Sequence, residues 1–477
     1  MSSDAANEIC FMSGRGLARL IRAREISARE VMAAFLAQIE RVNPKINAIV
    51  AKLDDSQCLA LADQADQRLA RGESVGVLHG LPFAFKDLDP AVGFPLTRGS
   101  RIFRDYMPAE DSVLVERLKN AGVIAIGKTN VSEFGMGSHT YNDVYGTTLN
   151  PYDLTKSAGG SSGGAGAALA AGLLPLASGS DHGGSLRNPA NFNNIVALRP
   201  TVGLVPIAPT ALPFFGISVK GPMGRSVSDV AFLLSALAGV HPRDPACYPS
   251  DPAVFAQPLE RDFKNVHVAW SLGLGSLPLD RRVRELLEAQ RKTFTDLGCL
   301  VEDACPDFSD ADEIFMTLRA WNYWHTLGPL LEKHRQEMKP EAVWQIESGS
   351  KLTGSEVADA MARRGELMQR MRRFQERYEF LICAVNQVPP FDASIDWPHE
   401  IDGVKMENYI AWMKSAYWIS VTFHPAISVP AGFTDDGLPV GIQIVGRYRD
   451  DCGVLQLAHA FEQATGFGRR RPDVALI

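Results

Sequence analysis

Residues Ser157 to Pro189 read SAGGSSGGAGAALAAGLLPLASGSDHGGSLRNP, and this stretch is the most unusual part of the 477-residue chain. Nine glycines lie between Gly159 and Gly184, far above the usual share of about 7%. Glycine crowding alone is more often structural, because it permits tight turns and close packing of helices on sheets. The serines within the stretch point to a chemical function as well. Their hydroxyls are potential nucleophiles, and they are carried by a backbone that can adopt unusual dihedral angles.

Two groups of serines in this stretch are candidates for a nucleophilic site. Ser161 and Ser162 follow one pair of glycines, and Ser185 follows another. The backbone N–H groups just before Ser185 can converge on an oxyanion; they belong to His182, Gly183 and Gly184. A serine hydroxyl is a weak nucleophile until a positioned base removes its proton. Lys86, at the end of the apolar run GLPFAFK, is the candidate base.

Helix and strand patterns alternate along the rest of the chain. Ser27 and Glu30 form a capping box that predicts a helix, and the apolar run before Lys86 predicts a buried strand. A helix over 112–120 and a strand over 123–126 follow, and this alternation favours an α/β fold. Without a linker or repeat, we expect one domain over 1–477. Its predicted parts are N-terminal helices (1–75), a core (80–230), a helical insert covering the pocket (305–420), and C-terminal strands with a final helix (421–477).

The composition excludes several classes of function. Lys and Arg number 48 against 55 Asp and Glu, a net charge of -7, so nucleic acid is not an expected partner. The seven cysteines include no CxxC pair and the ten histidines no ligand-spaced pair, so we expect no disulfide framework, metal or other cofactor. No apolar run approaches the roughly 20 residues that span a bilayer, and the polar start from Met1 to Asn7 is unlike a signal peptide. We therefore expect a cytoplasmic protein without a membrane partner.

At the glycine-rich stretch the chain resembles the amidase signature family, whose members hydrolyse amide and related C–N bonds with a Ser-cisSer-Lys triad. The similarity extends to four other stretches, which are LPFAFKD (81–87), GKTNVSEFGMG (127–137), GPMGRSVSD (221–229) and GLPVGIQIVG (437–446). It is weakest over residues 240–420. The resemblance implies a single large α/β domain, with a mixed central sheet of many strands and helices on both faces.

The resemblance also implies a role for each matching residue. Lys86 matches the catalytic lysine, Ser161 the cis-serine and Ser185 the nucleophile that becomes acylated. Neutral Lys86 would take a proton from Ser161, which would take one from Ser185 as it attacks the carbonyl. For this, the pKa of Lys86 must lie well below its ordinary value of about 10.4, and burial at a strand end acts in that direction. The bond between Gly160 and Ser161 corresponds to the family's cis peptide.

Further residues match supporting positions of the family. Those expected to hold the glycine-rich loop are Ser162, Asp181 and Arg187, and those expected to line the pocket are Met136, Gly137 and Ser138. His182 stands where the family commonly has another residue. We expect its ring to point away from the substrate, with a substrate contact as the alternative.

Other motifs suggest rival enzymes. Residues 159–163 also satisfy G-x-S-x-G, the nucleophile elbow of α/β-hydrolases, with His424 or His459 as the base. That elbow needs a buried strand before it, whereas 150–156 reads as a polar loop. Ser348 and Lys351 form an S-x-x-K without the K-T-G or S-D-N that penicillin-recognising enzymes carry. Neither interpretation is favoured.

Two alternatives remain within the family. One is the glutaminase subunit of a tRNA-dependent amidotransferase, which works inside a complex. The other is a non-catalytic scaffold, which should have lost at least one residue of the triad, and none is lost. We favour a stand-alone hydrolase of small amides, with carbamates (urethanes) or esters as further substrates, and a homodimer is compatible with this function.

The insert motivates the expected substrate preference. Phe315, Trp321, Tyr323, Trp324 and Trp344 give it an aromatic density above the 8% of the whole chain. We expect these rings to line a pocket for hydrophobic acyl or aryl groups. The alternative is that they only pack the insert onto the sheet.

Overall fold

The computed structural model describes residues 3–476, with side chains from Asn7 onward. Met1 and Ser2, at the polar start discussed above, lie outside the described residues, as does Ile477. The helices are α1 (Ser3–Phe11), α2 (Gly14–Arg22), α3 (Ala28–Ile46), α4 (Asp55–Ala70), α5 (Val113–Asn120), α6 (Gly163–Ala170), α7 (Arg187–Phe192), α8 (Val227–Leu237), α9 (Arg281–Ala289), α10 (Arg291–Asp296), α11 (Ala311–His334), α12 (Pro340–Ser350), α13 (Gly354–Phe374), α14 (Lys414–Ser420) and α15 (Asp451–Thr465).

The strands include every strand that the sequence predicted. They are β1 (Ile49–Val50), β2 (Pro82–Lys86), β3 (Ile124–Thr129), β4 (Leu149–Asn150), β5 (Asp153–Ser157), β6 (Ala177–Asp181), β7 (Val196–Arg199), β8 (Val219–Gly224), β9 (His267–Trp270), β10 (Leu300–Asp303), β11 (Phe380–Ala384), β12 (Glu400–Ile401), β13 (Val404–Lys405), β14 (Ala426–Phe433) and β15 (Pro439–Val445). The capping box of Ser27 and Glu30 is also confirmed at the start of α3.

Eight strands form one mixed sheet in the order β10-β9-β11-β15-β14-β7-β8-β6. Strand β9 runs parallel to β10 and β11, and the remaining neighbours are antiparallel. A smaller sheet has the order β1-β3-β2, and its strand β2 packs beside β6 at the edge of the large sheet. The end of β2, at Lys86, is therefore close to the end of β6, at Asp181.

Helices cover both faces of the large sheet. Successive side chains of a strand point to opposite faces, and in β11 they enter two separate hydrophobic cores. Phe380, Ile382 and Ala384 pack in the core that contains α8 and α15, whereas Leu381 and Cys383 pack in the core that contains α11, α13 and α14. The predicted α/β class, with a mixed sheet between helical layers, is confirmed.

One local prediction is wrong. Residues 150–156, expected to be a polar loop, contribute to a two-stranded sheet of β4 and β5. Most residues of β5 are polar, and they are exposed or half-buried. Strand β5 is still not the buried strand that a nucleophile elbow requires.

The described residues give two further observations. None of the helices within 3–476 is long and apolar enough to cross a membrane. The same residues contain no group of three or more His, Cys, Asp or Glu side chains arranged to hold a metal ion.

Candidate active site

Lys86 ends strand β2 and is completely buried. Its Nζ lies 2.9 Å from Ser161 Oγ, 2.7 Å from Ser162 Oγ and 2.9 Å from Ser180 Oγ. A neutral amine has two N–H donors and one lone pair, so it can satisfy all three contacts if one hydroxyl donates to it. The structure therefore brings together the predicted base and the predicted cis-serine.

The surroundings of Lys86 favour its neutral form. Burial lowers the pKa of Lys86 well below its ordinary value, and the nearby Lys220 ammonium lowers it further. The carboxylates of Asp89 and Asp181 act in the opposite direction but do not outweigh burial. Burial thus favours the neutral amine, which is the form of Lys86 that can accept a proton.

The peptide bond between Gly160 and Ser161 is cis, as the family resemblance implies. The Ser138 hydroxyl donates to the Gly160 carbonyl, and Asn188 Nδ2 donates to Ser138 Oγ over 2.8 Å. Ser162 is the residue before helix α6. Ser138, which the sequence placed in the pocket wall, therefore also holds the backbone beside Ser161.

The turn between β6 and Ser185 is held by the carboxylate of Asp181. The Gly184 N–H donates to Asp181 Oδ1 over 2.8 Å, and the Leu186 N–H donates to Oδ2 over 3.3 Å. Gly184 has a φ of +116°, a conformation that favours glycine. The Gly184 N–H is therefore already occupied and is not free to donate to an oxyanion.

Other N–H groups of the same turn have no partner. Within residues 3–476, no hydrogen bond is made by the backbone N–H of His182, Gly183 or Ser185. Ser185 is 5% exposed, and its hydroxyl has no hydrogen bond to Ser161 in this part of the chain. The turn thus presents a serine together with unpaired N–H donors, which is what an oxyanion site requires.

Two buried arginines neutralise Asp181. Arg187 Nε lies 3.0 Å from Oδ2, and Arg199 Nη1 lies 2.9 Å from Oδ1. Burial raises the pKa of Asp181, but the two guanidinium charges outweigh it and hold the pKa below its ordinary value. Arg187 also donates to Ala416 O (2.9 Å) and Ser420 Oγ (2.7 Å), so the turn is tied to α14.

The His182 side chain packs into the insert. Its ring centroid lies 6.0 Å from that of Phe215, 5.6 Å from Phe315 and 5.7 Å from Tyr323, and Nδ1 is 2.8 Å from Ser218 Oγ. Burial lowers the pKa of His182 well below its ordinary value, and the charges of nearby arginines lower it further. His182 is therefore neutral, and its orientation relative to a substrate stays a prediction.

The aromatic residues of the insert have different positions. Phe315 contacts the turn at Gly183, and Tyr323 lies beside His182. Trp321 packs against Phe215 at 5.8 Å between ring centroids. Trp324 lies between α11 and α12, so the expectation that it forms the pocket is not supported.

A small pocket opens beside Met136, Gly137 and Ser138. Much of the remaining wall is aromatic and consists of Tyr141, Trp397, Tyr409 and Trp412. Charged residues at the same pocket are Glu133, Lys339, Glu341 and Asp396. The resemblance indicated Met136, Gly137 and Ser138, whereas Trp397, Tyr409 and Trp412 come from residues 240–420, where the resemblance is weak.

The rival bases are not placed for catalysis. His424 Nδ1 lies 2.6 Å from the Thr422 carbonyl oxygen, and His459 lies 3.9 Å from Glu462. Among the described residues, neither histidine hydrogen-bonds to a serine hydroxyl. Ser348 donates to the Trp344 carbonyl at the surface. These contacts give no support to an elbow or a penicillin-recognising site.

Comparisons with known proteins identify the family of this chain. The family model described as Amidase matches residues 30–455. The chain belongs to the amidase family, and it is an amide-hydrolysing enzyme of the amidase signature type. The predicted family, fold class and enzyme class are therefore confirmed.

Similar proteins include two acylamidases and one component of an amidotransferase. The chain is 34% identical over 470 residues to an acylamidase of Rhodococcus erythropolis, covering 98% of each protein. It is 32% identical over 494 residues to a glutamyl-tRNA(Gln) amidotransferase subunit of Picosynechococcus sp., covering 96% of this chain and 99% of that one. A crystal structure of a bacterial aryl acylamidase superposes with a TM-score of 0.89 at 27% identity, covering 97% of this chain and 99% of that one.

Proposed function

We propose that the protein acts without a partner chain and hydrolyses amides that carry a hydrophobic acyl or aryl group, through an acyl-enzyme on Ser185. The observation that carries this proposal is the buried Lys86 amine, 2.9 Å from Ser161 Oγ, next to a turn that presents Ser185 and unpaired N–H groups. Lys86 is the base, Ser161 the relay and Ser185 the nucleophile.

In the first half-reaction, Lys86 Nζ takes the proton of Ser161, and Ser161 takes the proton of Ser185. Ser185 Oγ then bonds to the carbonyl carbon, and the N–H groups of His182, Gly183 and Ser185 stabilise the oxyanion. As the C–N bond breaks, the relay returns a proton to the leaving amine. Water repeats the sequence against the acyl-enzyme and releases the acid.

The relay requires the Ser185 hydroxyl to reach Ser161 when a substrate is bound. Catalytic hydrogen bonds often tighten only in that complex. The side chains of Ser161 and Ser185 are both at least nine-tenths buried, so a substrate that enters the site excludes the remaining water. In a water-poor site, the N–H dipoles of the turn act more strongly on the oxyanion.

The aromatic pocket beside Gly137 supports the choice of substrate class. Tyr141, Tyr409 and Trp412 line this pocket, and their contact with an aryl group would contribute roughly 25 cal/mol per Å² of buried area. The similarity to an acylamidase and an aryl acylamidase over nearly their whole lengths supports the same class. Carbamates and esters present a comparable carbonyl group, so we propose them as secondary substrates.

The test is an assay of the purified chain with an anilide, a small aliphatic amide, an aryl carbamate, an aryl ester and glutamine. We expect turnover of the aryl substrates by the chain alone, and its loss in Ser185→Ala. Ser348→Ala, which alters a half-buried serine bonded to the Trp344 carbonyl, is the matched control and should retain full activity. Efficient hydrolysis of glutamine without an aryl preference would instead support the alternative, the glutaminase component of an amidotransferase.

Covalent labelling tests the nucleophile independently of the substrate. Phenylmethanesulfonyl fluoride should add one label to the tryptic peptide that contains Ser185, and none to that peptide in Ser185→Ala. A label on Ser161 alone would contradict the proposed roles and favour the elbow.

A further inference from the structure

Lys220 lies beside the proposed base because of the register between two strands. In the antiparallel pair of β6 and β8, Ser180 is directly opposite Lys220. Side chains directly opposite each other project from the same face of a sheet. The Ser180 hydroxyl is one of the three contacts of Lys86 Nζ, at 2.9 Å. The Lys220 side chain therefore borders the site of Lys86.

Lys220 forms an ion pair with Asp89, in the turn that follows Lys86. The exposed fractions of the two side chains are 16% and 1%, so the pair is largely shielded from water. The Asp89 N–H donates to the Lys86 carbonyl oxygen over 2.9 Å. This bond holds the backbone of Asp89 in the tight turn that follows Lys86.

Each carboxylate around Lys86 already has a cationic partner. Asp89 pairs with Lys220, and Asp87 lies 3.8 Å from Lys128. Asp181 is shared by two guanidinium groups, which belong to Arg187 and Arg199. The surroundings thus contain one more cation than carboxylates, and a protonated Lys86 would add another positive charge.

We propose that Lys220 is a positioning residue whose ammonium occupies the Asp89 carboxylate and so keeps Lys86 in the neutral form that accepts a proton from Ser161. This inference rests on the function proposed above, and it concerns the pH at which the base becomes active. Without the Lys220 charge, the Asp89 carboxylate would stabilise protonated Lys86 instead.

The charged groups that act on Lys86 come from three elements. They are Asp89 in the turn after β2, Asp181 at the end of β6 and Lys220 on β8. On β3, Lys128 pairs with Asp87 and donates to the Asp89 carbonyl oxygen over 2.6 Å. The effect of Lys220 on the pKa of Lys86 has the direction that this geometry implies. Burial is the largest influence that lowers this pKa, and the Lys220 charge is the second largest.

The experiment measures the rate at which phenylmethanesulfonyl fluoride labels Ser185 from about pH 6 to about pH 9, where the free base controls the rate. In this reaction Ser185 Oγ bonds to sulfur, fluoride leaves, and the proton passes through Ser161 to Lys86. A plot of the labelling rate against pH should rise along one limb to a plateau. Lys220→Met should shift this rising limb to higher pH by about one unit, which lowers the rate about tenfold at a given pH on the limb. The plateau rate should be unchanged.

Two control variants separate the charge from the packing of the side chain. Lys220→Arg keeps the positive charge beside Asp89 and should retain the wild-type profile. Lys292→Met removes an exposed lysine that pairs with Asp296 on α10, and it should leave the limb in place. An unshifted limb in Lys220→Met, or an equal shift in Lys292→Met, overturns the inference.

Asp89→Asn provides a test in the opposite direction. This substitution removes the carboxylate that pairs with Lys220 and that would stabilise protonated Lys86. The rising limb of the pH–rate profile should therefore shift to lower pH. If Lys220→Met does not fold, an unshifted limb in Asp89→Asn still overturns the inference. Failure of wild-type labelling at Ser185 contradicts the proposed function itself, whereas normal wild-type labelling with unshifted variants contradicts only the role of Lys220.

Discussion

Gly183 and Phe315 are packed so closely that a Cβ atom added at Gly183 would lie 2.8 Å from Phe315 Cζ. Gly183 belongs to the turn before Ser185, and Phe315 belongs to α11 of the insert. The same added atom would lie 3.3 Å from Tyr417 Cβ. The insert therefore packs directly against this turn.

Gly183→Ala should lower kcat/KM for an aryl amide about 100-fold, because the added methyl group displaces an N–H donor of the oxyanion site. The measurement is steady-state kinetics with a spectrophotometric anilide. Gly365→Ala is the control, since a Cβ there meets no atom within 4 Å; alanine is also the better helix former. Equal activity of the two variants would show that the turn tolerates the methyl group.

Lys86→Ala should reduce turnover nearly as much as Ser185→Ala, because the members of a proton relay act as a unit. His424→Ala and His459→Ala should keep most of the activity. Since the base must be neutral, kcat/KM of the wild type should rise with pH along one limb before it levels. Substantial activity in Lys86→Ala, or its loss in a histidine variant, would point to a Ser-His enzyme.

Asp181→Asn should destabilise the fold by about 3 to 5 kcal/mol, because it leaves Arg187 and Arg199 buried without a counter-charge. Urea unfolding followed by circular dichroism measures the change. Asp436→Asn removes the exposed partner of Arg282 and should change the free energy of unfolding by less than about 1 kcal/mol. Comparable effects of both substitutions would contradict the role given to Asp181.

His424 should make the protein sensitive to acid. Burial lowers the pKa of His424 to about 4 from an ordinary 6.5, so between these values the unfolded chain binds a proton that the folded chain does not. Stability should therefore fall as the pH decreases through this range, by about 3 kcal/mol in total. His424→Gln should remove this part of the pH dependence, as measured by urea unfolding at several pH values.

The control for this prediction is His325→Gln, which substitutes an exposed histidine. It separates the effect of burial from that of replacing any histidine. The prediction fails if the loss of stability in acid is as large in His424→Gln as in the wild type.

Local patterns in the sequence predicted much of the fold and part of the site. The apolar run before Lys86 indicated β2, and the resemblance indicated Ser161 and Ser185. Lys220 was missed because only the register of β6 and β8 brings it to Lys86. The packing of Trp324 against α12 could not be predicted, because its sequence position does not show whether its ring faces a pocket or a neighbouring helix.

The contacts of the two arginines that pair with Asp181 have a consequence for how the protein is made. Arg187 and Arg199 come from the first half of the chain, but their carbonyl and hydroxyl partners include Ala416 and Ser420, far towards the C-terminus. A ribosome must therefore synthesise most of the chain before the turn that precedes Ser185 obtains its full set of contacts. A nascent chain that already contains Lys86, Ser161 and Ser185 should remain without amidase activity until α14 emerges.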